Sequence, residues 1–324
     1  KGEFINMKAI VIYYSQTGNT KKIAQAIHAG MSQTLEQCDL VRIQDVNPGI
    51  LGDYDLIGLG SPVINFKEPG NISDFIEWAM GAADGKHGFV FCTHGAFAGH
   101  YMSRVVPAIA QRGLSVVGWK DWFGSVLYPA IPKPYYTDGH PDQIDLDEAK
   151  NFGREMVERS RRISLGETQL IPDFPKGNEY DAIYDPFDLR RIDLLMTCKE
   201  ADASTVFKLN TEKCRYPTCT HCRDVCPTGK IVFSGSGPDL RMTCEAGIGN
   251  RCFLCEQTCP HGAIEIDWTI MEKAHDPLIQ EWLSKILERV EARGDFRRLV
   301  QENDIGWGNS FYKSKKPPRF KIDY

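Results

Sequence analysis

The sequence predicts an α/β protein in which a doubly wound parallel sheet is followed by a smaller α+β domain and a C-terminal helical extension. Its 324 residues suffice for about two domains of roughly 150 residues each. The first 165 residues alternate short β-branched apolar runs with amphipathic stretches, which is typical of parallel strands joined by helices. Eight of the eleven cysteines lie between residues 214 and 259, which marks that region as a separate cysteine-rich unit.

Five strands and four helices are predicted in the first domain. The strands are expected at residues 9–14, 40–43, 56–59, 88–92 and 115–119. The helices are expected at residues 21–31, 72–80, 102–112 and 146–163. Ligands of a doubly wound sheet bind beyond the carboxyl ends of its strands, so the residues that follow each strand are the first candidates for a site.

Changes in composition give the remaining boundaries. Residues 7–165 form the predicted first domain, and residues 166–204 lose periodicity and gather prolines, which is typical of a linker. A short helix is predicted within this linker at 189–196. The second domain is predicted over 205–268, with short strands at 206–209, 231–233 and 263–267.

The C-terminal extension, residues 269–324, is predicted to begin with an amphipathic helix and to end in a basic, aromatic tail. An apolar stripe runs from Leu278 to Val290. We expect this helix to dock on another part of the chain or on a second copy in a homo-oligomer. The tail is expected to cover its own domain or to bind a neighbour or an acidic redox partner. Residues 1–6 resemble vector sequence and are left out of the predicted fold.

Composition excludes several classes of protein. Apolar residues make up 42% and charged residues 25% of the chain, which is ordinary globular usage and not that of a disordered or collagen-like protein. The net charge of −5 includes no basic excess for binding nucleic acid. No apolar run approaches the roughly 18 residues of a membrane helix. We therefore expect a soluble, cytoplasmic protein with no membrane or nucleic-acid partner.

The first candidate site follows the first strand. It is the run Ser15, Gln16, Thr17, Gly18, Asn19 and Thr20, which opens a helix. Three hydroxyls, a glycine and the N–H groups of a helix N-terminus suit a phosphate dianion. A nucleoside-triphosphate loop needs Gly-Lys-Ser/Thr and a dinucleotide loop needs three spaced glycines, and the run has neither. The alternative is a Ser/Thr-rich turn that only caps the helix.

Two later loops follow the third and fourth strands. The first consists of Ser61, Pro62, Val63, Ile64, Asn65 and Phe66, and the second of Thr93, His94, Gly95, Ala96 and Phe97. Because the carboxyl ends of parallel strands meet at one edge of a sheet, both loops can converge on the crevice of the first run.

With these three loops, the first domain resembles the flavodoxins. The S-Q-T-G-N-T run resembles their FMN phosphate loop, and the later loops resemble their flavin-ring loops. The resemblance implies a strand order of 2-1-3-4-5, FMN as cofactor and these loop residues as its ligands. Phe66 or Phe97 would stack on the ring, unless it packs in the core. Many flavodoxins carry a glycine in the first ring loop; residues 61–66 contain none, and Asn65 best tolerates a left-handed backbone there.

The cysteines form two similar runs, each ending in C-x2-C-x3-C-P. In a cytoplasmic chain, where thiols stay reduced, such density indicates metal binding. The runs resemble bacterial ferredoxins with two [4Fe–4S] clusters, although Tyr216 and Gly249 stand where that family places its first cysteine. In that family the last cysteine of each run ligates the other cluster. The resemblance thus implies one set of Cys214, Cys219, Cys222 and Cys259, and another of Cys244, Cys252, Cys255 and Cys226.

Nearly the whole chain resembles the fused flavodoxin–ferredoxin proteins of anaerobes. That resemblance implies an iron–sulfur flavoprotein that passes low-potential electrons between FMN and two [4Fe–4S] clusters, to or from a partner redox protein. A second hypothesis is an FMN-dependent reductase that acts directly on a small molecule and is fed by the clusters. A third is a structural zinc module, since paired C-x2-C units also bind zinc.

Overall fold

The computed structural model describes residues 7–126, 134–175, 207–229, 231–244, 253–266 and 277–305. The chain divides into two compact units. The first comprises Lys1–Gly124 and Gly139–Met196, and the second comprises Ser125–Asp138 and Thr197–Tyr324. The segment Ser125–Asp138 follows the fifth strand and is placed in the first domain by the sequence. In the structure it is grouped with the second unit. The predicted helix at 189–196 and the tail at 306–324 lie outside the described residues.

The first unit contains a five-stranded parallel sheet with the order β2-β1-β3-β4-β5, which confirms the predicted sheet. The strands are β1 (Lys8–Tyr13), β2 (Gln37–Arg42), β3 (Leu56–Pro62), β4 (His87–His94) and β5 (Ser115–Phe123). The three inner strands are buried along almost their whole length, as expected for a parallel sheet covered on both faces.

Four helices cover the two faces of this sheet. They are α1 (Asn19–Met31), α2 (Gly70–Trp78), α3 (Tyr101–Ala110) and α4 (Gln143–Ser164). One core lies between the sheet and α2 and α3, and the other lies between the sheet and α1 and α4. Helices α1 and α4 approach closely at two glycines, since a Cβ on Gly30 would lie 2.0 Å from the Lys150 carbonyl oxygen.

Helix α4 begins three residues before its predicted start. Asp142 is its N-cap: its carboxylate accepts hydrogen bonds from the N–H groups of Ile144 and Asp145, and the Asp145 carboxylate accepts from the Asp142 N–H. This reciprocal capping box turns a polar stretch into a helical first turn. The buried His140 lies 2.6 Å from the same Asp145 carboxylate through Nδ1.

The second unit contains two small antiparallel sheets. One pairs β6 (Phe207–Leu209) with β9 (Ile264–Ile266), and the other pairs β7 (Ile231–Ser234) with β8 (Arg241–Cys244). Helices α5 (His221–Asp224) and α6 (Leu254–Thr258) are short, and α7 (Pro277–Ala292) is the predicted C-terminal helix. Ile231, Ala263 and Ile264 form a small core together with Cys255 and Cys259.

The described part of the apolar stripe on α7 is buried, at Trp282, Ile286, Leu287 and Val290. The guanidinium of Arg298, which is paired with Glu291, lies 4.5 Å from the centre of the Tyr136 ring. Glu291 lies on α7, and Glu291, Arg298 and Tyr136 all belong to the second unit. The end of α7 therefore packs, through Arg298, within its own unit. Among the helices described, none is both long and apolar enough to span a bilayer.

Candidate functional site

The three predicted loops of the first unit lie together at the carboxyl edge of its sheet. The Thr20 and Thr93 hydroxyl oxygens are 2.7 Å apart in a buried hydrogen bond, which joins the run after β1 to the end of β4. The Val63 N–H donates to the Thr93 carbonyl oxygen at 2.8 Å, which joins the loop after β3 to the same strand end. These two bonds join the three loops that the sequence singled out at one edge of the sheet, which is the candidate crevice.

The run after β1 presents a helix N-terminus without a side-chain cap. Gly18 is the N-cap of α1 and has a left-handed backbone with φ of 97°, and it makes no side-chain capping bond. The Ser15 hydroxyl accepts the Gly18 N–H at 3.2 Å. The first turn of α1 carries no acidic residue, so the positive end of the helix dipole is not neutralised there. Such an end is suited to an anion.

The loop after β3 is a tight turn in which two residues have positive φ. Ile64 and Lys67 exchange both backbone hydrogen bonds, and Asn65 and Phe66 between them have φ of 49° and 63°. Asn65 thus adopts the left-handed backbone that the sequence assigned to it. The same conformation at the bulky Phe66 is unusual. It is held by the His100 N–H, which donates to the Phe66 carbonyl oxygen at 2.8 Å.

Aromatic rings from two loops meet beside this turn. The Phe66 and Phe97 rings stack with centroids 4.8 Å apart and planes 12° apart. Phe97 is buried, whereas Phe66 is half-buried. A Cβ at Gly99 would lie 2.5 Å from the Phe66 carbonyl oxygen, so a glycine is needed where these loops touch.

Three of the predicted loop hydroxyls, those of Ser61, Thr20 and Thr93, are used inside the protein. Ser61 is fully buried, lies 2.9 Å from the Tyr101 hydroxyl and donates to the Pro62 carbonyl oxygen. Thr20 is buried against Thr93. All three residues support the loops from within, while Ser15 and Thr17 are half-buried.

The buried His94 at the end of β4 pairs with the half-buried Asp121, a partner that sequence reasoning did not identify. His94 Nε2 is 2.7 Å from Asp121 Oδ2 on β5. Burial raises the pKa of the Asp121 carboxyl, but the hydrogen bond and charge of His94 outweigh it and hold that pKa below its usual value. The sequence singled out His94 and gave no signal for Asp121, which sits in the second half of a strand.

A second candidate site lies in the second unit. Cys214, Cys219, Cys222 and Cys259 line one pocket, and its other lining residues are Leu209, Arg215, Phe233, Pro260, His261, Ala263 and Ile264. Cys259 comes from the second cysteine run and the other three from the first. These four are the set that the ferredoxin resemblance groups together.

Burial and neighbouring thiols change the pKa of the Cys222 thiol. Burial, followed by the proximity of Cys259, Cys214 and Cys219, raises the pKa of Cys222 to about 11, although a backbone hydrogen bond opposes this. The Ala263 N–H donates to the Cys259 sulfur at 3.3 Å. A bound cation would replace the thiol protons and relieve the crowding of like groups.

The described cysteine sulfurs are not gathered as tightly as the ligands of a single ion. In the described part of the chain, no three cysteine sulfurs lie within 4.8 Å of one another. Among the described residues, the ligand atoms that do lie within 4.8 Å of one another are those of His140, Asp142 and Asp145. Asp142 and Asp145 form the capping box of α4, and His140 is bonded to Asp145.

The second predicted cysteine set is only partly described. Cys226 and Cys255 pack in the same small core as Cys259. Cys244 ends β8, but its side chain, like the whole of Cys252, lies outside the described residues. The ligand set that contains these four cysteines therefore stays a prediction.

Comparisons with known proteins match the first unit. A family model described as a flavodoxin domain matches residues 10–108. A flavodoxin of Clostridium beijerinckii is 29% identical over 149 residues, which cover 45% of this chain and 97% of that protein. An Archaeoglobus fulgidus protein named NAD(P)H dehydrogenase (quinone) is 27% identical over 193 residues, covering 48% of this chain and 98% of the relative. A solved archaeal flavodoxin is 25% identical with a TM-score of 0.39, covering 48% of this chain and 99% of its own.

Proposed function

We propose that this chain, whose N-terminal half is a flavodoxin-like domain, binds FMN there and two [4Fe–4S] clusters in its second unit. The protein then carries low-potential electrons between these groups and a partner redox protein. The observation that carries the proposal is the convergence of Cys214, Cys219, Cys222 and Cys259 from two separate runs on one pocket. A chain with a flavodoxin-like domain and such a pocket combines a flavin site with a one-electron centre.

The crevice of the first unit fits FMN at both ends. The N-terminus of α1 at Gly18, which has no side-chain cap, suits the phosphate, because a helix N-terminus and its dipole favour a dianion. At the other end, the half-buried Phe66 and the left-handed Asn65 lie in the loop that the flavodoxin resemblance assigns to the flavin ring. When bound, the flavin ring accepts or donates one or two electrons, and the protein holds and shields it.

The cysteine pocket fits a cubane better than a zinc ion. Four thiolates around zinc, with Zn–S bonds of about 2.3 Å, stand about 3.8 Å apart, whereas no three of the described cysteine sulfurs lie within 4.8 Å of one another. A cubane separates its ligands more widely because each thiolate binds a different iron. The Ala263 N–H to Cys259 sulfur bond and the apolar walls provided by Leu209 and Ile264 are the features that set cluster potentials.

A second candidate function is direct reduction of a small molecule at the flavin. It is favoured by the relatives named NAD(P)H dehydrogenase (quinone), from Archaeoglobus fulgidus and Rhizobium meliloti, which match about half of this chain. In that case the clusters would supply the flavin, and no protein acceptor would be needed.

Metal and flavin analysis of anaerobically purified protein tests the proposal. We expect about eight iron atoms and one FMN per chain. The Cys222→Ala variant should lose about four irons and keep its FMN, because the two sites lie in different units. Cys38→Ala, which alters a half-buried cysteine of the first unit, should retain all the iron. Zinc without iron, or equal iron in both variants, would refute the cluster assignment.

Acceptor specificity separates the two candidate functions. A carrier reduced with dithionite should reduce cytochrome c, used as a one-electron protein probe, in stoichiometric amounts. It should not accelerate oxidation of NADH or NADPH by menadione. Sustained menadione turnover without any added protein would instead support the reductase.

A further inference from the structure

Two aromatic rings stack beside the cysteine pocket of the second unit. The Tyr216 and Phe233 rings have centroids 4.4 Å apart and planes 15° apart. Phe233 is one of the residues that line the pocket together with the four cysteines, and Tyr216 is not. Both residues are half-buried. Tyr216 therefore reaches the pocket only through the ring on which it stacks.

The two rings come from separate segments of the second unit. Phe233 lies on β7, where it is half-buried while its neighbours on the strand are exposed, so the alternation of side chains turns it toward the small core. Tyr216 lies in the stretch that makes the spacing from Cys214 to Cys219 longer than in the ferredoxins. The Cys219 N–H donates to the Arg215 carbonyl oxygen at 3.0 Å, which closes a turn around Tyr216.

Access of water changes how readily a bound cluster accepts an electron. Reduction adds one negative charge to a group that four thiolates already make negative, and water stabilises the more highly charged form. An apolar wall that excludes water therefore opposes reduction and lowers the reduction potential. Phe233 is the largest apolar side chain among the residues that line this pocket, so its position has the greatest effect on that wall.

We propose that Tyr216 is a positioning residue: by stacking on Phe233 it holds that ring at the cysteine pocket, and the ring excludes water from the bound cluster and lowers its reduction potential. The inference rests on the proposed function, since it needs a cluster bound by the four cysteines of the pocket. Tyr216 stands where the ferredoxins place their first cysteine. The displaced ligand and the aromatic wall would then be two consequences of the same longer loop.

Substitution of Tyr216 tests the effect on the potential. Tyr216→Ala removes the ring that stacks on Phe233, whereas Tyr216→Phe keeps a ring and removes only the hydroxyl. In anaerobic redox titrations of the full chain, followed by EPR, we expect Tyr216→Ala to raise the potential of one cluster and to leave the other close to its original value. The shift should correspond to about a tenfold change in the reduction equilibrium, which is about 59 mV for one electron. Tyr216→Phe should titrate like the unsubstituted chain.

Access of water is measured separately. After exchange into D₂O, pulsed EPR of the reduced chain should detect more deuterons near the cluster in Tyr216→Ala than in the unsubstituted chain. Phe233→Leu, which shortens the wall itself, should show the same change. Val232→Ala is the matched control, because Val232 is adjacent on β7 but is exposed and does not line the pocket. It should leave both the potential and the deuterium signal unchanged.

The outcomes distinguish failure of this inference from failure of the proposed function. If Tyr216→Ala keeps both clusters with unchanged potentials and deuterium signal, the clusters stand and the inference is wrong. Equal shifts in Tyr216→Ala and Tyr216→Phe would also overturn it, because the hydroxyl would then be responsible. If the unsubstituted chain holds no cluster, the inference and the proposed cluster site are both wrong.

A further variant decides the case in which Tyr216→Ala loses iron. Tyr216→Leu keeps apolar volume at the position but has no ring to stack on Phe233. A retained cluster with a raised potential in Tyr216→Leu supports the inference. Loss of iron there too, or an unchanged potential, overturns it, because Tyr216 would then serve only to assemble the loop that carries the ligands.

Discussion

Single backbone N–H groups determine the chemistry at both candidate sites. At the first, the left-handed Gly18 precedes α1 without a side-chain cap, so the start of that helix is suited to an anion. At the second, the Ala263 N–H is directed at the Cys259 sulfur. If the proposed groups bind, backbone donors would lie near a negative charge in both cases, the FMN phosphate in one and a cluster-bound sulfur in the other.

Thr17 provides a direct test of the phosphate site. An aspartate there would place a negative charge within the predicted phosphate loop, so Thr17→Asp should weaken FMN binding about a hundredfold. Riboflavin lacks the phosphate, and its affinity should change little. Fluorescence titration with both flavins measures the difference, with Thr17→Ser as the control for the hydroxyl. Equal loss of both flavins would indicate a distorted loop, and unchanged FMN affinity would remove Thr17 from the site.

At the scale of elements, the crevice depends on how closely α1 packs on α4. Gly30 and Gly153 allow the two backbones to approach, and a Cβ on Gly153 would lie 2.2 Å from the Ile27 carbonyl oxygen. Backbone atoms cannot yield as a flexible side chain does. Helix α1 begins in the run after β1, which is the predicted phosphate loop, so the contact between α1 and α4 also holds that run in place.

Substitution of Gly153 should therefore destabilise the first unit. We expect Gly153→Ala to lower the free energy of unfolding by about 1–3 kcal/mol, because the helices must separate to admit the methyl group. Gly70→Ala, at the start of α2, is the matched control, since a Cβ there has no neighbour within 4 Å. Urea denaturation of the full chain, followed by circular dichroism, compares the two. Similar midpoints would mean that the crossing of α1 and α4 is tolerant.

Strands and helices can be predicted from the sequence where a run of residues is buried along its whole length. Prediction fails where a strand forms only because a neighbouring strand pairs with it. Strand β5 continues through Lys120 and Asp121 to Phe123, beyond its predicted end at 119, because β4 pairs with it along that length. Strand β8 has no apolar run and forms by pairing with β7. The loops of the crevice could be predicted because each follows a strand, whereas the pairing of His94 with Asp121 depends on a register that no local pattern contains.

At the scale of the whole molecule, the two units share a chain that passes between them more than once. The segment Ser125–Asp138 leaves the first unit after β5 and belongs to the second, and the chain then returns to form α4. Tyr135 and Tyr136 in that segment are buried. A cut after residue 165 would therefore separate this segment from the unit with which it packs, so functional experiments call for the full chain.

Separate cores, together with the separate cofactor sites of the proposed function, predict two thermal transitions. Ligands stabilise the unit that binds them, so FMN at a hundredfold excess over its dissociation constant should stabilise one transition by about 2.7 kcal/mol. Removing iron with a chelator under anaerobic conditions should lower the other, because metal ligation contributes directly to folding. Calorimetry of the full chain with and without each group measures both effects. The Cys222→Ala variant should reproduce the effect of iron removal and leave the FMN-dependent transition in place. A single transition that both groups shift would mean that the units unfold as one cooperative body, and the loss of one site would then weaken the other.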